Sequence, residues 1–259
     1  MADYRNYQAR VATAGARADA AIDEGLRAYM IKVYNLMALG LAITGFAALG
    51  TVMLATTTDP SAAVATLGNG KMLTGLGAAL YGSPLRWVVM LAPLAMVFFL
   101  SFRVEKMSLS AAQTTFWAFA AVMGISLSSI FLVYTSGSIV QTFFITATAF
   151  LALSLFGYTT KRDLSGMGSF LIMGVWGLIL AMLVNIFMQS SALQFAISAI
   201  GVLVFAGLTA YDTQKIKEMY YEGDGALVAG RKAIMGALRL YLDFINMFMF
   251  LLQFLGNRE

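Results

Sequence analysis

Seven apolar runs dominate the chain, at about 31–55, 86–102, 112–133, 138–159, 168–188, 193–214 and 234–255. Each reaches the roughly 20 residues needed to cross the hydrocarbon of a bilayer as a helix. None alternates apolar and polar residues with period two, and all are too long for barrel strands. The pattern predicts an all-α, polytopic membrane protein with seven transmembrane helices. Gly40, Gly45, Gly124, Ser126, Gly174, Gly177, Gly201 and Gly207 fall within the runs. Small residues let helix backbones approach closely, which predicts a tight bundle. The first 29 residues are polar and charged, and the run that follows is too long for a signal core, so no cleavable signal is expected. In this segment Ile22, Leu26, Tyr29 and Met30 share one helical face. Either a short interfacial helix or a solvated linker follows. The domain reading is a cytosolic tail over 1–29 and a seven-helix transmembrane domain over 30–259.

Composition sharpens this picture. The chain is 60% hydrophobic and 12% charged, against about 45–50% and 25% in soluble domains. Cysteine and histidine are both absent. Disulfides, thiol chemistry, imidazole bases and imidazole metal ligands are therefore excluded, and a pH response must come from carboxylates. Seventeen methionines lack clustered ligand spacing and suit adaptable packing. Trp87, Trp117 and Trp176 suit packing or interface anchoring. Asn35, Gln113, Asn185 and Gln189 suit contacts between helices.

Of the seventeen lysines and arginines, fourteen fall on one side if the spans alternate. They are Arg5, Arg10, Arg17, Arg27, Lys32, Arg103, Lys106, Lys161, Arg162, Lys215, Lys217, Arg231, Lys232 and Arg239. Lys71, Arg86 and Arg258 fall on the other. The positive-inside rule then predicts a plasma (inner) membrane protein with a cytosolic N-terminus and an external C-terminus. The uncharged connections at 134–137 and 189–192 read as tight external turns. The 56–85 segment reads as a long external loop of irregular structure.

The candidate chemistry lies in the last two spans, each of which carries one aspartate. Carboxylates inside a bilayer are costly and are kept where they face a partner, a cavity or an ion path. Asp212 lies near the cytosolic end of the sixth span. Asp243 lies about nine residues into the seventh, roughly 13 Å deep at 1.5 Å per residue. Thr209 and Asn246 stand one turn from Asp212 and Asp243, on faces that would form a polar seam if they met. Arg103 is a third charge at similar depth. Two readings remain open. In one, each aspartate pairs with the basic residue on its own helix, Lys215 for Asp212 and Arg239 for Asp243. In the other, the carboxylates meet and share a proton, because adjacent carboxylates do not easily both ionise. Such a pair can gate a path with pH, or weakly hold a hard cation such as Ca²⁺.

The motifs resemble those of the Bax inhibitor family, the transmembrane proteins bearing the Bax inhibitor motif. The resemblance rests on Tyr211-Asp212-Thr213-Gln214-Lys215-Ile216 and Tyr241-Leu242-Asp243-Phe244-Ile245-Asn246. Further matches are Gly157-Tyr158-Thr159-Thr160-Lys161-Arg162-Asp163-Leu164, Lys106-Met107-Ser108, and Tyr34-Asn35-Leu36-Met37-Ala38-Leu39-Gly40. It implies a last helix central to the other six. It also implies a pH-sensitive calcium leak, with Asp212 and Asp243 as sensor and Arg103 as the arginine that latches onto them. No cofactor is implied beyond Ca²⁺ as the transported ion, and no nucleic acid. The partners expected are membrane lipid, the calcium ion and a membrane protein. The 56–85 loop is longer than the family's usual external connection.

Two other functions compete. Intramembrane aspartyl proteases also place aspartates on successive helices, but their second motif resembles Gly-x-Gly-Asp. Here the position reads Leu240-Tyr241-Leu242-Asp243, and no Pro-Ala-Leu follows, so no enzyme is expected. A regulator of a membrane protease or of other membrane machinery is the second alternative. A retinal protein is excluded because the seventh span has no lysine for a Schiff base.

Overall fold

The computed structural model describes residues 2–258, with side chains over 24–258. Seven long helices carry the seven runs: α1 Ala2–Ala55, α2 Leu85–Arg103, α3 Leu109–Leu127, α4 Ser136–Thr159, α5 Ser165–Met188, α6 Ser191–Glu218 and α7 Ala226–Leu255. The part of α1 suited to the bilayer is Glu24–Ala55. The face drawn through Ile22 in the tail lies partly outside the described side chains.

The helix starts follow local chemistry. Ser108, Thr135 and Ser190 cap α3, α4 and α6, each accepting a bond from the amide three residues on. These caps satisfy amides that have no partner inside the helix. The third run does not continue as one helix. It breaks at Ser128 and resumes as a short turn, Ile130–Val133, and the Ser128 hydroxyl donates to the Ile125 carbonyl at the break. The turn between α5 and α6 uses Gln189 at φ 49°, a left-handed conformation that ends α5 within one residue. Asn185 holds the turn by accepting from the Ser190 amide at 3.0 Å.

Helix α7 occupies the centre. In its most apolar stretch 72% is buried, against 11–39% in the other six helices. It packs directly against α1, α3, α4 and α6, while α2 lies on α3 and α5 on α6. The central last helix implied by the resemblance is therefore present, with a correction to its surroundings: α2 and α5 form an outer layer. Helix α5 illustrates why. It has the highest hydropathy of the seven, 2.4, and only 11% of its stretch is buried, so its apolar surface suits lipid on most sides. Around α7 the core is aromatic. Tyr241 meets Phe119 and Phe116 edge-on at 5.3 and 6.1 Å. Its hydroxyl is satisfied by Thr44 at 2.6 Å, as a buried phenol requires.

The 56–85 segment, expected to be irregular, contains a small antiparallel sheet. Strands β1 Thr56–Thr57, β2 Ala65–Thr66 and β3 Met72–Leu73 pair in the order β1-β3-β2. The sheet is tied to the end of the third span by Asn69 and Lys71, which donate to the carbonyls of Leu132 and Phe131. Tyr81 adds a hydroxyl contact to Ser128 at 2.7 Å. At this same end Thr135 donates its amide to Asn257. At the opposite end the contacts join Tyr29 to Tyr220, Arg231 to the Met107 carbonyl, and Lys217 to the Tyr158 carbonyl. The bundle thus has one strongly basic end and one end with few charges.

Candidate functional site

The site forms where α6 and α7 pack together near the basic end. Asp243 is 4% exposed. It is buried because it lies in the part of α7 that is packed among the other helices, where Leu240, Tyr241, Phe244 and Ile245 are buried as well. Asp212 projects from α6 toward it, with a side chain 16% exposed. The two carboxylates are neighbours across the α6–α7 contact, so the sequence-predicted pair is brought together. A hydrogen bond between two carboxyl groups requires a proton on one of them. Asp243 Oδ2 is buried and has no hydrogen-bond partner among the described residues. Buried oxygens are seldom left so, and a proton shared with Asp212, a water or a cation can each satisfy this one.

The remaining charges fall differently from both sequence-based readings. Arg239 places Nη1 at 3.8 Å from Asp212 Oδ1, across the helix interface. Lys215 instead pairs with Glu218 at 2.7 Å. Separate pairing of each aspartate with its own helix neighbour is therefore not the arrangement: the α7 guanidinium pairs with the α6 carboxylate. Arg103, expected to latch onto the aspartates, is exposed at the end of α2. Helix α2 packs mainly on α3, which places Arg103 in the outer layer, and no ion pair joins it to either aspartate among the described residues. Arg239 is the arginine that pairs with Asp212.

The expected polar seam is also rearranged. The Thr209 hydroxyl donates to Phe205 O at 2.8 Å, and the Asn246 amide to Leu242 O at 2.8 Å. Both are spent on their own helices. Beside them runs a buried chain that sequence reasoning missed. The Tyr34 hydroxyl contacts Ser154 at 2.6 Å, Ser154 contacts Thr213 at 2.8 Å, and Thr213 donates to Thr209 O at 2.7 Å. It joins α1, α4 and α6 beside Asp212. The available signal was that Tyr34 and Thr213 both lie in the matched motifs. Gln214 closes the floor, accepting from the Leu164 amide at 2.9 Å and donating to Arg162 O at 2.8 Å. At the mouth Lys232 pairs with Asp224 at 2.5 Å, which holds the connection between α6 and α7.

Of the polar residues expected to join helices, Asn185 does so, donating to Gln194 at 3.1 Å. Gln194 in turn donates to Gln253 at 2.8 Å. Among the described residues no group of three or more acidic side chains could hold a metal. The aspartate pair supplies two carboxylates, the oxygen-ligand type that hard cations take.

These features define a multi-pass α-helical membrane protein with a carboxylate pair buried between its last two helices. The family model described as "Inhibitor of apoptosis-promoting Bax1" matches residues 26–259, and the chain belongs to this Bax inhibitor family. Among its relatives, a Rickettsia prowazekii protein is 49% identical, with 92% of each chain covered. A Caulobacter vibrioides protein is 47% identical over the full length of both. The Escherichia coli inner membrane protein YbhL is 45% identical, covering 91% of this chain and 94% of its own.

Proposed function

We propose that this protein is a pH-sensitive calcium leak of the inner membrane, gated on the cytosolic side by Asp212 and Asp243, and that it is not an enzyme. The observation that carries the reading is that two membrane-embedded carboxylates are neighbours across the α6–α7 contact, one with a buried oxygen that has no hydrogen-bond partner among the described residues. Proton and calcium compete for the same oxygens. Loss of the shared proton adds one negative charge beside Asp212. At an effective dielectric near 20, unit charges about 4 Å apart interact by about 4 kcal/mol, which biases a two-state gate several hundredfold. The basic end faces the cytosol by the positive-inside rule. The inner membrane follows by analogy with the relative of that name.

The test is calcium flux into liposomes that contain only this protein. Flux should change with pH across about 6 to 8, and Asp212→Asn and Asp243→Asn should each flatten the profile. Variants that kept the wild-type profile would reduce the pair to a structural contact. A purified protein that cleaved membrane substrates through Asp243 would overturn the non-enzymatic reading.

A further inference from the structure

Helix α1 packs mainly on α3 and α7, and α4 on α6 and α7. At the basic end α1 and α4 part and leave a cleft of about 410 Å³ between them. The Tyr34 hydroxyl meets Ser154 at its floor, which sets the register of the two helices. Arg27 and Tyr158 also line the cleft. From Tyr34 and Ser154 they lie about 10 and 6 Å nearer the basic end, at 1.5 Å per residue. The walls between are Ile31, Leu151 and Leu155. All three are exposed on the surface of the bundle, so the cleft opens sideways, toward the bilayer. Among the described residues Arg27 makes no ion pair, and the Tyr158 hydroxyl has no hydrogen-bond partner. Lys217 brings a second cation to the mouth. Its ammonium donates to the Tyr158 carbonyl at 2.9 Å and lies 5.2 Å from the centre of the Tyr158 ring. Of the nearby acids, Glu218 is taken by Lys215. Glu24, one turn from Arg27 on α1, is exposed. The mouth keeps a net positive charge.

We propose that this cleft binds one anionic phospholipid from the leaflet at the basic end, with its phosphate on Arg27 and Tyr158 and an acyl chain along Ile31, Leu151 and Leu155. A cleft in the side of a membrane-spanning bundle is filled from the bilayer. Lipid tails match its walls in polarity, so the tail contributes dispersion contacts and little selectivity. The headgroup supplies the selectivity. A guanidinium takes two phosphate oxygens at once, and the phenol adds a further donor. Cations near the bilayer surface each favour anionic lipid. A zwitterionic headgroup brings its own positive charge against Arg27 and Lys217 and gains less. The hydroxyls at the floor are already bonded to each other and onward to Thr213 at 2.8 Å, so they demand no polar partner from the tail. The positive-inside rule places the bound lipid in the cytosolic leaflet. Binding here requires neither ion flux nor the aspartate pair.

Native mass spectrometry of the detergent-solubilised full chain tests this, with phosphatidylglycerol set against phosphatidylcholine of the same acyl chains. One phosphatidylglycerol should bind per chain, about tenfold more tightly than phosphatidylcholine, a ratio within the reach of two cations beside the headgroup. Arg27→Ala with Tyr158→Phe should remove that preference. Arg86→Ala takes one positive charge from the other end of the bundle and should leave the preference intact. Ile31→Trp and Leu151→Trp, on the two exposed walls, should each weaken binding of both lipids at an unchanged unfolding temperature. The proposal is overturned if no adduct of one lipid per chain forms or if the two lipids bind equally. It is also overturned if the preference survives Arg27→Ala with Tyr158→Phe, if Arg86→Ala removes it, or if both tryptophan variants retain wild-type binding.

Discussion

Gly157 on α4 packs against the backbone of α6 at Ala210, two residues before Asp212. A Cβ added at Gly157 would lie 2.9 Å from the Cα and carbonyl carbon of Ala210, and closer still to its oxygen. Ordinary Cβ contacts are 3.4–4 Å, so α4 and α6 must part by about 0.5 Å or more, and a backbone carbonyl has no rotamer through which to yield. Overpacking of this kind costs about 1–3 kcal/mol. The intrinsic gain of alanine over glycine in a helix, about 1 kcal/mol, acts in the opposite direction. Gly45→Ala supplies the control, because it carries the same intrinsic gain and meets no neighbour within 4 Å. Thermal unfolding of the two variants in one detergent should place Gly157→Ala below Gly45→Ala by a few degrees, at about 2–4 °C per kcal/mol. Gly157→Ala should also disturb the calcium profile, since it displaces the helix that carries Asp212. An unfolding temperature for Gly157→Ala at or above that of Gly45→Ala would refute the close-approach argument.

Other predictions follow from the charges. Arg239→Ala should change calcium flux about fivefold or less, because the half-exposed guanidinium contributes no more than about 1 kcal/mol. Arg103→Ala should leave the pH profile intact; an Arg103 effect larger than that of Arg239 would return the latch to α2. Reporter fusions after Glu259 and within 217–232 should report external and cytosolic positions respectively, and the same answer from both would remove the seventh crossing. The Ser61 hydroxyl and amide hold the Asp59 carboxyl below the usual carboxylate range. Its contribution to loop stability is therefore present above the unfolded value and lost as pH falls through the lower, folded one. Ser61→Ala should raise the Asp59 titration observed by NMR, and an unmoved titration would count against the contact.

The seven spans, the basic end and the two candidate aspartates were legible in the sequence, because each depends on composition within one segment. A span is recognised by its own length and apolarity. An aspartate within it is conspicuous whatever it touches. The partners of those aspartates were not legible. Spacing along α7 offered Arg239 to Asp243 and spacing along α6 offered Lys215 to Asp212, yet Arg239 reaches across the interface to Asp212. Rotation of the helices about their own axes decides this, and packing against α1, α3 and α4 sets that rotation. The place of Arg103 was likewise hidden, because its depth in the membrane is local information and the assignment of α2 to an outer layer is not. Gly157 stood in a recognisable motif, but only its contact with Ala210 gives it a physical reason. Sequence determined which groups enter the membrane and roughly how deep. Tertiary structure decided which of them meet, since a bilayer fixes depth for each helix separately and leaves neighbours to side-chain packing.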